Sequence, residues 1–434
     1  MTIELEPASN TAEKIKVLVL SDHPLSRSGV GTQTNYMITS LLDTGKFSFI
    51  CLGGAVKHAN YSPVKTEQYG DDLVIYPVDG YGTQDRVRSL MRTERPDIIW
   101  IMTDPRFWGW LWEIEDEIRT NIPIVYYHVW DNYPYPKFNK AYYECNDYVA
   151  CISKLTYDIV QNVAPDVPSA YIPHAVEPGI FGKQKKEKIL EFKKQYFPQI
   201  CDWDKEEKFI FFWNNRNARR KMSGSVLYWF KEFLDEVGHD KASLIMHTDP
   251  KDPHGQDLEA ITHQLNMLNG QVIFSTAKQP STILAMLYNV ADCTINISDA
   301  EGFGLATLES LACGTPIIVN MTGGLQEQVT DGEEWFGIGL QAASKAVIGS
   351  QPVPYIYEDR VSKEDYINAL KEMLNMSKED REELGRKGMQ HIEKNYNFNT
   401  FQQQWIDLML SVHENCGSWK NRKNYKSWDL MEVE

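Results

Sequence analysis

The sequence predicts an α/β protein made of two parallel-sheet halves, and three observations carry that expectation. Short apolar runs rich in β-branched and aromatic residues alternate with helix-period segments along most of the chain. The series breaks in a charged stretch near residue 180 and restarts at Phe209-Ile210-Phe211-Phe212-Trp213. Finally, an apolar run ending at Ile297 passes through a glycine-containing turn into a helical segment, the arrangement that lines the carboxyl edge of a parallel sheet.

In the first half, strands are expected at 16–20, 47–53, 97–102, 124–128, 148–152 and 170–173. They alternate with helices near 32–42, 85–94 and 154–163, the pattern of parallel α/β units. A charged helix at 183–194 and the polar loop QICDWDKEE precede the second half. Its strands are expected at 209–213, 242–247, 271–274, 292–297 and 316–320, with a final helix around 398–413. The expected domains are therefore 1–178 and 179–396, with 397–434 as a terminal helix and tail crossing back onto the first domain. No internal repeat or low-complexity tract interrupts this plan.

Composition narrows the function. With 434 residues, 42% of them hydrophobic, the chain can build two or three cores. A net charge of −16 speaks against a generally basic nucleic-acid-binding surface. No apolar run reaches the roughly 20 residues that span a bilayer, and MTIELEPASNTAEK at the start lacks a signal-peptide core. Seven cysteines without a C-x-x-C pair read as reduced thiols rather than a disulfide frame or zinc site. A cytoplasmic protein with no transmembrane segment is expected.

The chemistry concentrates in DAEGFGLATLESLACGTPIIVNMTGGLQEQVTDG, residues 299–332. A helix that begins near Leu305 and ends at Gly314 points its free N-terminal amides to the strand ends, where they and the helix dipole favour phosphate. Glu301 and Glu309 flank that helix start. A carboxylate beside a phosphate site is costly unless it receives hydroxyl groups, and sugars and riboses supply them. The bland alternative is a glycine turn with one capping glutamate.

Glu301-Gly302-Phe303-Gly304-Leu305, followed by Glu309-Ser310-Leu311-Ala312-Cys313-Gly314-Thr315-Pro316, resembles the signature of glycosyltransferase family 4, in the GT-B superfamily. The resemblance runs from about Lys16 to Trp405 and is most specific at 292–332. It implies two Rossmann-like domains facing a central crevice, an N-terminal one for the acceptor and a C-terminal one for a nucleotide-sugar donor. It implies that Glu301 contacts the transferred sugar, that Glu309 contacts the ribose, and that the Phe303, Gly304 and Leu305 amides hold sugar and phosphate. Ser28-Gly29-Val30-Gly31 matches the family's first glycine loop, which puts Gly29 and Gly31 at the diphosphate. VYYHVWD supplies the family's strand-end histidine as His128, whose alternative is a buried, satisfied side chain. FFWNNRNARRKMSG supplies Arg216 and Lys221 to neutralise the diphosphate; Arg219 and Arg220 read as an ordinary basic turn. Asn215 stands where the family usually has glycine, and Ala175 where its hinge has one.

The resemblance further implies a retaining, front-face mechanism in which the leaving diphosphate takes the acceptor proton. Arg216, Lys221 and the helix amides stabilise its charge, His128 lies near the sugar and Glu301 orients it. Cationic side chains replace a metal, so neither cofactor nor divalent ion is expected. Asp202-Trp203-Asp204 has the D-x-D spacing of metal-dependent transferases but reads as a solvated loop. The acceptor stays open among a small molecule or glycan, a lipid approached through the basic helix 86–95, and a hydroxymethylated base in DNA. A GT-B nucleotide-sugar epimerase is the rival enzyme class, and a degenerate sugar-binding relative the non-enzyme one. The aromatic run 107–112 is read as core or as an acceptor groove, and 419–423 as a docked or frayed tail.

Overall fold

The computed structural model describes residues 14–177 and 179–428. Residues 1–13, Pro178, on which the expected first domain ends, and residues 429–434 lie outside the described residues.

The first sheet contains β1 (Ile15–Asp22), β2 (Phe47–Gly54), β3 (Val64–Lys65), β4 (Leu73–Pro77), β5 (Ile98–Met102), β6 (Ile124–His128), β7 (Tyr148–Cys151) and β8 (Ser169–Tyr171), in the order β3-β4-β2-β1-β5-β6-β7-β8. β1 pairs in parallel with both β2 and β5. The second sheet contains β9 (Phe209–Asn214), β10 (Ala242–His247), β11 (Val272–Ser275), β12 (Cys293–Asn296), β13 (Ile317–Asn320) and β14 (Gly337–Leu340), all parallel, in the order β11-β10-β9-β12-β13-β14. A separate antiparallel pair joins β15 (Ser344–Ser350) to β16 (Val353–Arg360). In each large sheet the chain runs outward from a central strand in one direction and then in the other. The strand order therefore reverses between β1 and β5, and between β9 and β12. Ligands of open α/β sheets bind outside the strand carboxyl ends at such reversals.

By compactness the chain forms two units. Unit 1 is Met1–Tyr127, Glu144–Val149 and Gln402–Glu434; unit 2 is His128–Tyr143 and Ala150–Phe401. In unit 2, the aromatic face of β9 explains its place at the centre of the sheet. Phe211 and Trp213 are fully buried and pack with Phe230 and Phe233 of the helix Ser223–Val237. Each such side chain contributes about 1.5–3 kcal/mol by leaving water. In unit 1, Trp405 of the C-terminal helix stands edge-on to Trp100 of β5 and Tyr127 of β6, with ring centroids 5.7 and 4.8 Å away. The run 107–112 is mostly core: Trp108, Leu111 and Trp112 are buried, and Phe107 is the exposed member. Among the described residues no helix is long and apolar enough to cross a membrane.

The expected strands are present within a few residues. The structure adds β3, β4, β14 and the β15–β16 pair. β15 and β16 bury little, so the alternation that marks a strand over a core is missing from their sequence.

After Cys416 the chain stays on unit 1. Trp419 donates its indole N–H to the Pro96 carbonyl at 3.0 Å, and Ser418 donates to Asp97 at 2.6 Å. Arg422 reaches Asp147 at 2.5 Å, both side chains only 6% exposed, and Arg119 holds the other Asp147 oxygen at 3.1 Å. Removing one partner of a buried pair strands the other charge. Arg422→Met is therefore expected to cost about 2–3 kcal/mol, less than a full stranding because Arg119 remains. Urea unfolding beside the exposed control Lys420→Ala measures this, and an unchanged midpoint would remove the ion pair from the stability of unit 1.

Candidate functional site

Two loops of unit 2 leave neighbouring strands at the reversal of strand order. One follows β9 and forms the 3-10 turn Arg219–Lys221. The other follows β12 as Asp299-Ala300-Glu301-Gly302-Phe303-Gly304 and opens the helix Leu305–Ala312.

The second loop is shaped by close backbone approaches. Gly304 takes φ 94°, and a Cβ there would come within 2.5 Å of Leu325 and 2.9 Å of Thr307, so only glycine fits. Gln328 donates to the Phe303 carbonyl at 2.7 Å and to the Gly304 carbonyl at 3.2 Å, and Gly324 N–H donates to the Glu301 carbonyl at 3.0 Å. In a trans peptide the N–H opposes its carbonyl. Fixing these carbonyls turns the Gly302, Gly304 and Leu305 N–H groups the other way. Leu305 also precedes the first intrahelical bond. The result is a preset group of donors at a helix start, suited to an anion. Phe303 contributes backbone only, because its ring is buried against His174 and Tyr396, with centroids 4.9 and 5.8 Å away.

The two loops meet in an ion pair. Lys221 Nζ contacts Glu301 Oε2, with side chains 11% and 13% exposed. Burial alone would raise the Glu301 carboxyl, but the Lys221 and Arg220 charges more than reverse this and hold it below the ordinary glutamate range. On the other side of the pair, burial lowers the Lys221 ammonium, against the raising effect of the Glu301 charge. Arg220 adds a second cation: its guanidinium lies 3.4 Å from Asp131, and its carbonyl accepts from Asp299 N–H at 2.8 Å. Glu309, on the helix opened by the glycine turn, accepts from Tyr288 at 2.7 Å, and Asn214 donates to the Tyr288 hydroxyl at 2.7 Å. Burial pushes the Glu309 carboxyl up to about 7, against the lowering effect of the Tyr288 bond.

The structure thus brings Lys221, Glu301, Phe303, Gly304, Leu305 and Glu309 to one region of unit 2. Arg216 is not among them. It forks onto Asp252 at 2.7 and 3.2 Å, contacts His254 at 2.8 Å, and is 60% exposed. His128 is fully buried, paired through Nε2 with the Tyr143 hydroxyl at 2.8 Å, and burial lowers its pKa to about 3. It is a neutral imidazole. Asp202 pairs with Lys205 in its own loop, and Asp204 with Lys194 on the preceding helix Lys186–Tyr196. Neither Asn215 nor Ala175 adopts positive φ; in the basic turn that conformation falls to Met222, at φ 59°.

Gly29 and Gly31 belong to unit 1 and open the helix Gly29–Leu42. The Gly31 N–H is taken by Ser28 at 3.0 Å, and Ser28 in turn donates to Asp22 at 2.6 Å. A Cβ on Gly31 would lie 2.3 Å from Ser26 Oγ and 2.8 Å from the His23 carbonyl, which requires glycine there.

Sequence reasoning missed Arg220, Asp131, Tyr288 and Gln328. For Arg220 the signal was a third basic residue directly before Lys221. Gln328 carries no such signal, since it stands among Gln326, Glu327, Thr330 and Asp331 at the polar end of the 299–332 block.

A family model described as Glycosyl transferases group 1 matches residues 203–391. The alpha-monoglucosyldiacylglycerol synthase of Streptococcus pneumoniae is 30% identical over 187 residues, 43% of this chain and 40% of that protein. A D-inositol 3-phosphate glycosyltransferase of Acidothermus cellulolyticus is 41% identical over 76 residues, 18% of this chain and 16% of that protein. The chain thus spans two fifths or less of the length of these curated relatives. Among solved structures, sucrose-phosphate synthase from Thermosynechococcus elongatus superposes with TM-score 0.71 at 16% identity, covering 92% of this chain and 100% of that one. Anabaena HepE, solved with UDP and glucose, gives TM-score 0.66 at 14% identity, over 92% and 100%. At these identities the likeness concerns the fold, which is GT-B with two Rossmann-like domains. Taken with the glycine turn and its paired lysine and glutamate, the match makes residues 203–391 similar to the glycosyl transferases group 1 family.

Proposed function

We propose that this chain is a retaining glycosyltransferase that moves a sugar from a nucleoside-diphosphate sugar to an acceptor hydroxyl without a divalent metal. The observation that carries the reading is the Lys221–Glu301 pair beside the preset amides of Gly304 and Leu305. A cation and oriented N–H groups suit a departing diphosphate, and a carboxylate beside them suits sugar hydroxyls. In the reaction, the bond from the anomeric carbon to the phosphate oxygen breaks on the same face on which the acceptor oxygen bonds. The acceptor proton passes to the leaving phosphate oxygen. Lys221, Arg220 and the turn amides stabilise that charge. Arg216 joins them if it exchanges Asp252 for phosphate. His128, being neutral, supports the strand end beside the site and adds no positive charge to it. Gly29 and Gly31 enter on the family resemblance alone, as the unit 1 loop that contacts the donor.

For the acceptor, a small molecule or glycan fits best. Two observations in unit 1 bear on the basic helix Gln84–Thr93: Arg88 is forked onto Glu117, and Arg86 covers the Tyr76 ring at 4.9 Å. Part of the basic charge of this helix is thus already engaged, while Arg92 stays exposed. Of the curated relatives, one is named for a glucosyldiacylglycerol lipid and the other for an inositol phosphate, so the names support a lipid or a small molecule over a nucleic acid and do not decide between the first two.

The reading is tested with UDP-, GDP-, ADP- and TDP-sugars in millimolar EDTA. One donor is expected to raise the melting temperature by mass action and to be turned over with retention, seen by NMR of the product. Turnover that stops in EDTA and returns with Mg²⁺ or Mn²⁺ would sink the metal-free mechanism. Release of an epimerised sugar without transfer would support the epimerase instead.

Lys221→Ala is expected to lower kcat by about 10²–10³-fold, the effect of removing a donor aimed at developing charge. Wild-type kcat would take Lys221 out of the reaction.

Glu309 supplies a pH prediction. A carboxyl titrating near 7 is mostly charged at pH 8 and mostly protonated at pH 6. A ribose contact made by the anion is then lost as pH falls, weakening nucleoside diphosphate binding about tenfold between those values. Calorimetry on wild type and Glu309→Gln checks this. Since the diphosphate titrates in both proteins, the difference between the two profiles is what counts, and parallel profiles would remove Glu309 from the ribose.

A further inference from the structure

Four consecutive residues at the end of β16 together tie down several segments around the candidate site. Tyr357 pairs with the segment after β6: its N–H donates to the Tyr133 carbonyl at 2.6 Å, and Asn132 donates to its carbonyl at 2.7 Å. Glu358 accepts from Arg219 at 2.9 Å, two residues before Lys221, and from Arg360 at 2.8 Å. Asp359 N–H donates to the Asp299 carbonyl at 2.9 Å, two residues before Glu301, and the Asp359 carboxylate accepts from Thr322 at 2.7 Å, beside Gly323. Arg360 reaches the Asp299 carboxylate at 2.8 Å. An extended strand sends successive side chains to opposite faces, so one short segment reaches all these loops.

Two further observations say that this is not core building. Of the eight residues of β16, only Val353 and Glu358 are buried, and Glu358, 2% exposed, is a carboxylate. The turn it grips ends in Met222 at φ 59°, a conformation that a non-glycine side chain keeps only where its surroundings impose it.

We propose that the β15–β16 pair is a brace for the catalytic turns, and that Glu358 is a positioning residue that sets Lys221 against Glu301 through Arg219. The proposal rests on the glycosyl-transfer reading of the site. Glu358 acts on the reaction only through Lys221, so its effect vanishes when Lys221 is gone.

The test is a double-mutant cycle of Glu358→Gln and Lys221→Ala on the full chain. It is read as single-turnover donor cleavage by whichever UDP-, GDP-, ADP- or TDP-sugar the wild type turns over, well below each variant's melting temperature. In the wild-type background, Glu358→Gln is expected to slow cleavage about tenfold or more, and Glu358→Asp to recover part of it. In the Lys221→Ala background, Glu358→Gln is expected to change the rate by less than about threefold. Glu236→Gln, which removes a surface ion pair with Lys371, is the control and leaves the rate unchanged. The same rate factor in both backgrounds, or an unchanged rate for Glu358→Gln, overturns the brace. If Glu358→Gln does not fold, Arg219→Gln is read in the same cycle, since it leaves Glu358 paired with Arg360. If Lys221→Ala keeps wild-type cleavage, the site reading and the brace fall together, whereas an inactive Lys221→Ala with additive Glu358→Gln removes the brace alone.

Discussion

Unit 2 is organised around one costly interaction, the nearly enclosed ion pair of Lys221 and Glu301. Taking two charges out of water costs several kcal/mol per ion, and their mutual attraction recovers this only in good geometry with further polar partners. An apolar pair of the same size would hold the fold together as well or better. The pair therefore makes sense as machinery kept in readiness. Each partner sits at the end of its own strand, β9 or β12, at the point where the sheet order reverses. Both loops are then fixed by contacts that the ion pair alone would not require: Arg220 with Asp131, and Asp299 with Arg360.

The glycine turn supplies the other half of the same preorganisation. Its carbonyls are claimed by Gln328, Thr307 and Gly324, which leaves the opposing N–H groups aimed away from the protein's own acceptors. Donors oriented before a ligand arrives need no reorganisation as charge develops, and this is where most electrostatic catalysis comes from. Lys221, whose charge is shared with Glu301, and these oriented amides converge on the same region of unit 2.

Much of this was legible in the sequence because it depends on local rules. The apolar runs of β9, β12 and β13 are buried on both faces and read as continuous hydrophobic segments. The helix at 305–312 is bounded by glycines at φ 94° and 72°, both visible as sequence punctuation. What stayed hidden depends on long-range partners. The family resemblance assigned Arg216 to the diphosphate, but its choice of Asp252 is set by a loop 36 residues away. Arg220 looked like a solvated neighbour because nothing local says that the turn bends at Met222 and brings it to Asp131. β15 and β16 escaped because they cover no core, so no alternation marks them. His128 was placed correctly at a strand end, but its complete burial, and with it its neutrality, follows from the packing of Tyr143, which spacing does not reveal.

The overall charge sharpens the argument about selectivity. A chain carrying −16 repels a diphosphate at long range, so a local arrangement has to do the recruiting. Arg219, Arg220, Lys221 and Arg360 lie within one short stretch of contacts in unit 2, and each already has a carboxylate or carbonyl partner. Such a cluster does not bind anions indiscriminately, because an incoming phosphate must replace a bonded carboxylate with equal or better geometry. A ligand that also offers hydroxyls to the displaced Glu301 meets that condition, whereas a bare phosphate leaves the buried carboxylate without a partner. On the proposed glycosyl-transfer reading, the internal ion pair would act as a filter: it would penalise anions that offer no hydroxyl to Glu301, and the penalty would grow with the burial that makes the pair expensive in the first place.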